Sequence, residues 1–84
     1  MYQVEIYVKQ GRPKCRLTMK RMSTYAKLNR HMVDPDNDLN IMKQFVDKGY
    51  QSFPVVKITK DNKTVDEWCD FRVDKIKEWG NKLQ

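Results

Sequence analysis

The sequence predicts an α/β fold, a four-stranded mixed sheet flanked by helices in the order β-α-β-α-β-β-α. Three patterns carry that reading. Residues 2–8 alternate, with Tyr2, Val4, Ile6 and Val8 apolar on one side and Gln3 and Glu5 polar on the other, the period-two mark of a strand. Three later stretches instead place apolar residues at helical spacing, beginning near Lys14, Leu39 and Val73. Three Gly and three Pro punctuate the chain between such segments. Strands separated by a helix pair in parallel and strands joined by a tight turn pair antiparallel, so the sheet is mixed.

Each element follows from local chemistry. After the first strand, Gly11 and Pro13 mark a turn into a helix, with Pro13 suited to the first helical position. The stripe Cys15, Met19, Met22, Ala26 then gives that helix one apolar face over residues 14–26. Residues 28–33 read as a weaker strand, in which His31 is expected to be exposed. The run Asp34-Pro35-Asp36-Asn37-Asp38 reads as a turn that supplies a helix cap. Leu39, Met42, Phe45 and Val46 keep helical spacing until Gly49 ends the helix. Residues 53–58 form a third strand, Lys60-Asp61-Asn62-Lys63 a hairpin turn and residues 64–68 a fourth strand. Asp70 precedes a last helix with Val73, Ile76, Trp79 or Gly80, and Leu83 at helical spacing.

Composition bounds the function. With 84 residues, the expectation is one domain over 1–84. A domain of this size buries only about 60–65% of its unfolded surface, so the core is thin and leaves little chain for a large substrate pocket. No stretch approaches the ~18 apolar residues of a membrane span. The opening Met-Tyr-Gln-Val-Glu-Ile lacks the basic and apolar segments of a secretory signal. Two cysteines and one histidine are too few for a disulfide scaffold and argue against a metal site. The expectation is a cytoplasmic monomer with reduced thiols.

Charge is uneven along the chain. Residues 1–30 hold eight basic side chains and one acid, a net charge of +7 out of +6 for the whole sequence. An acidic partner surface would be steered to this third of the molecule. Nucleic acid is the weaker expectation, because Tyr25 is the only aromatic residue among positions 8–30.

Three segments resemble a known family. Val4-Glu5-Ile6-Tyr7, followed by a turn and Cys15, resembles the first strand and active-site loop of the glutaredoxin branch of the thioredoxin-like fold. Gly49-Tyr50-Gln51-Ser52-Phe53-Pro54-Val55-Val56 is similar to the Gly-aromatic-x-x-x-Pro-Val-Val segment of the small glutaredoxin-like redoxins that donate electrons to ribonucleotide reductase. Trp68-Cys69-Asp70-Phe71-Arg72-Val73-Asp74-Lys75-Ile76 is similar to their Trp-Ser-Gly-Phe-Arg-Pro-Asp-Lys-Ile segment. The resemblance spans nearly the whole chain. It implies thiol–disulfide exchange with glutathione as a cosubstrate, a cis peptide bond before Pro54, and ribonucleotide reductase or a reductase as protein partner. It implies a groove involving Lys9, Phe53, Pro54, Cys69 and Asp70, with Trp68 and Tyr7 either flanking it or belonging to the core.

In that family the active-site loop reads Cys-x-x-Cys, where the first cysteine attacks a disulfide and the second resolves the mixed disulfide. Here the loop after Gly11 reads Arg12-Pro13-Lys14-Cys15. A guanidinium is no nucleophile, so the two-cysteine cycle is not available through these positions. Three roles are open to Cys15: a small core hydrophobe, a lone catalytic thiol activated by Arg12, Lys14 and Arg16, or a partner of Cys69. The alternative to redox chemistry is a binding module that docks an acidic peptide or protein through Arg12, Lys14 and Arg16.

Overall fold

The computed structural model describes residues 1–84. The elements are β1 (Tyr2–Val8), α1 (Pro13–Met22), β2 (Leu28–Met32), α2 (Leu39–Asp47), β3 (Val55–Lys60), β4 (Lys63–Cys69) and α3 (Val73–Leu83). The sheet order is β2-β1-β3-β4, with β1 parallel to β2 and antiparallel to β3, and β3 antiparallel to β4. The expected α/β class and the mixed sheet are therefore both present.

The alternation in β1 decides which face is inside. Val4, Ile6 and Val8 are buried and meet Val56 and Ile58 of β3 in one cluster with Cys15, Met22, Ile76 and Trp79 of α1 and α3. Burying side chains such as Ile76 and Trp79 stabilises by about 1.5–3 kcal/mol each, more than a surface ion pair supplies. Asp66 on β4 adds a polar tie, accepting hydrogen bonds from Lys75 Nζ and Trp79 Nε1, both at 2.8 Å. Burial would raise the Asp66 carboxyl, but those two bonds, a third from the Glu67 N–H and the Lys75 charge together hold it below the usual carboxylate range.

The opposite face carries a smaller aromatic group under α2. Phe45 meets Tyr7 and Phe53 edge to face, with ring centroids 5.3 and 5.8 Å apart. Gly49, at φ 82°, closes α2 in a Schellman turn, where Gly49 N–H donates to Val46 and Tyr50 N–H to Phe45, each at 2.9 Å. The β3–β4 hairpin turns through Asp61 and Asn62, both at positive φ (53° and 66°), the I′ geometry that matches the strand twist.

Several expectations needed correction. α1 ends at Met22 rather than Ala26, because the Ser23 and Thr24 hydroxyls both bond the Lys20 carbonyl and draw the backbone into turns. Its buried residues are Cys15, Thr18 and Met22. Thr18 enters the core because its hydroxyl donates to the Lys14 carbonyl at 2.8 Å and leaves its methyl inside. Asp38 does not cap α2; its carboxylate accepts the Asp34 N–H at 2.7 Å instead. Of the α2 stripe only Phe45 is buried, whereas Leu39 and Val46 are 64% and 65% exposed. His31 is half-buried rather than free: it stacks on Tyr7 at 4.6 Å and lies 3.0 Å from Glu5. Burial would raise the Glu5 carboxyl, but bonds from Asn29 and His31 lower it overall.

Candidate functional site

Arg12 is the N-cap of α1, with extended backbone (φ −99°, ψ 116°) and no side chain capping the helix. Gly11 at φ 73° makes the turn that delivers it. Across from it the β3 lead-in passes through a cis Phe53–Pro54 peptide. Between them lies a cleft of about 410 Å³ lined by Lys9, Arg12, Pro13, Lys14, Gln51, Ser52 and Phe53. Gln51, Ser52 and Phe53 make no main-chain hydrogen bonds, so their amides and carbonyls are available along one wall.

The cleft is positive. Lys9 Nζ sits 4.5 Å from the centroid of Phe53, and neither Lys9 nor Arg12 has an acidic partner. Lys14 is partly neutralised by Asp70, 2.9 Å away. Lys14 and the Phe71 N–H hold the Asp70 carboxyl below the usual carboxylate range. Asp70 itself adopts φ 75°, which only small or short polar residues tolerate.

Cys15 lies behind the cleft rather than in it. It is 1% exposed and belongs to the core cluster. Burial pushes its thiol up, against the opposing influence of the Lys9 backbone and the charges of Arg12, Lys9 and Arg16. The basic neighbours were expected to lower it; desolvation wins. Both cysteines are free. Trp68 and Cys15 belong to one core cluster, and strand alternation turns Cys69 to the other face of β4. The structure therefore does not bring Cys15 and Cys69 together.

The other expected site residues divide. Lys9 and Phe53 line the cleft, while Asp70 touches it through Lys14. Of the two readings open for Trp68, groove or core, the structure has the core: it is 3% exposed, with its Nε1 lacking any hydrogen-bond partner. The Pro54 ring is buried, and its carbonyl accepts the Asp70 N–H at 2.8 Å, so it supports the wall from behind. Tyr7 packs between His31 and Phe45. Arg16, expected beside Arg12 and Lys14, lines a different groove. Gln51 and Ser52 were not anticipated; their only signal is that they precede Phe53-Pro54.

Comparison with known proteins places the fold. No protein-family model and no curated protein sequence matches the chain. Among solved structures, the glutaredoxin-like protein NrdH-redoxin from Escherichia coli superposes with a TM-score of 0.67 at 24% identity, covering 98% of this chain and 95% of that one. Thioredoxin from Fasciola hepatica gives 0.63 at 20% identity, over 99% and 81% of the two chains. Mitochondrial thioredoxin 3 from Saccharomyces cerevisiae gives 0.63 at 13% identity, over 98% and 78%. The chain has the thioredoxin-like fold.

Proposed function

We propose that this chain is a non-catalytic binding module on the scaffold of the small glutaredoxin-like donors of ribonucleotide reductase. Its cleft takes the carboxylates of an acidic peptide, either glutathione-like or presented by a protein partner such as a reductase. The observation that carries this reading is the exchange of nucleophile for cation: Arg12 occupies the cleft-facing N-cap while the only thiol of the loop, Cys15, is buried. Arg12 and Lys9 supply charge-assisted donors, and the unpaired main chain of Gln51–Phe53 supplies a wall against which an extended peptide lies. A reducing, cytoplasmic setting is part of this reading, in keeping with two unpaired thiols.

Single-thiol exchange at Cys15 is the competing reading. It requires a thiolate within reach of a substrate disulfide, and burial opposes both ionisation and access.

The test uses S-methylglutathione, which keeps two carboxylates but has no thiol to exchange. Titrated into the protein and followed by amide NMR, it is expected to move the signals of Lys14, Gln51, Ser52 and Phe53. Arg12→Ala is expected to weaken binding by about tenfold or more, the loss of one charged hydrogen bond. Equal affinity in the variant overturns the proposal.

A further inference from the structure

A second groove, sharing no residue with the cleft, lies between α1 and the edge strand β2. It is shallow and open to solvent, with about 600 Å³ of space above its floor. Its rim is Arg16 and Lys20 from α1 with Lys27 and Arg30 from the β2 side. All four are exposed, and none has an acidic partner within 4.0 Å. Its floor is apolar, formed in part by Met19 and Leu28, which pack against the core.

We infer that this groove is a second docking surface, for an acidic polypeptide segment with an apolar side chain set among its carboxylates. Charge complementarity selects the acid: four cations converge where the chain offers no compensating anion. The apolar floor selects polypeptide over nucleic acid, because an aliphatic anchor can be buried there whereas a phosphate backbone brings nothing to bury. Bases stack on exposed rings, and the one aromatic residue nearby, Tyr25, is turned onto α3: a Cβ added at Gly80 would lie 2.8 Å from its ring. The surface is independent of the Arg12 cleft and stands whether or not that cleft binds peptide.

The test is fluorescence anisotropy with a short fluorescein-labelled peptide of Asp, Glu and Leu, measured in an Arg12→Ala background so that the first cleft contributes least. Arg16→Glu combined with Arg30→Glu is expected to weaken binding by about tenfold, with a steep salt dependence before the substitution. Lys20→Glu with Lys27→Glu provides a second pair on the same rim, and circular dichroism establishes folding of each. Unchanged affinity in both pairs would mean the four cations only solvate a sheet edge, and the inference fails. It fails equally if oligothymidylate displaces the peptide and binds more tightly, because the surface then reads phosphate.

Discussion

Asp70 concentrates the local cost of this site in one backbone angle. At φ 75° a side chain with a Cβ is strained, by roughly 1–2 kcal/mol for an ordinary residue and less for Asp. Asp70 persists there because its carboxylate also accepts the Phe71 N–H at 2.7 Å and holds Lys14. The ion pair is substantially exposed and contributes at most about 1 kcal/mol. Asp70→Gly is therefore expected to leave stability within about 1 kcal/mol of the parent, since relief of strain offsets the lost pair. Asp70→Val is expected to cost more than about 1 kcal/mol, because a β-branched residue does not fit this region. Urea unfolding of the two variants checks the pair; equal losses would show that the strain is not what matters.

At the scale of elements, α1 and α3 meet over the sheet in a joint with no spare volume. Tyr25, just beyond α1, leans on Gly80 of α3 so closely that no methyl fits between them. Gly80→Ala gains about 1 kcal/mol of helix propensity but must displace the ring in a packed core, at about 1–3 kcal/mol. A net loss is expected, seen as a melting temperature lower by several degrees; an unchanged or higher value would show that Tyr25 moves freely. Sequence alone left this helix's inner face open between Trp79 and Gly80, and the structure buries both. The strand β4 was harder to read. Asp66 and Trp68 share its inner face, while exposed Val65 lies on the outer one. A polar residue on an inner face breaks the expected alternation, and donors from Lys75, Trp79 and the Glu67 N–H make it tolerable. The hairpin and the Gly49 terminus were legible because each depends on two or three neighbouring residues. Arg16 was misplaced for the converse reason. Arg12 has extended backbone, so it leaves the helical face to which Arg16 belongs.

For the molecule as a whole, the first third of the sequence supplies both the positive field and the two surfaces that use it. Residues 1–30 build the loop holding Arg12 and Lys14 and the α1–β2 groove, while the acids lie mainly on the later elements. The order of elements was legible, but not the end of α1 or the buried face of α2; of the cleft, Lys9, Arg12, Pro13, Lys14 and Phe53 were legible because the resembling segments marked them, and Gln51 and Ser52 were not. The thiol was the hardest to place, since the same Cys15 satisfies a helix-start motif and an apolar stripe. Burial decides for the stripe, and it has a titration consequence. With its folded pKa raised, Cys15 stabilises the fold fully below the unfolded thiol value of about 8.5, and that contribution fades as pH rises toward the folded value.

The most direct test of a scaffold that binds without thiol chemistry is the alkylation rate of Cys15 against pH in the Cys69→Ser protein. Slow reaction with iodoacetamide is expected across neutral pH, with an apparent pKa above about 8.5 and full reactivity only in denaturant. Rapid alkylation of the folded protein, with an apparent pKa below that value, would contradict the account and return Cys15 to the role of a reactive thiol.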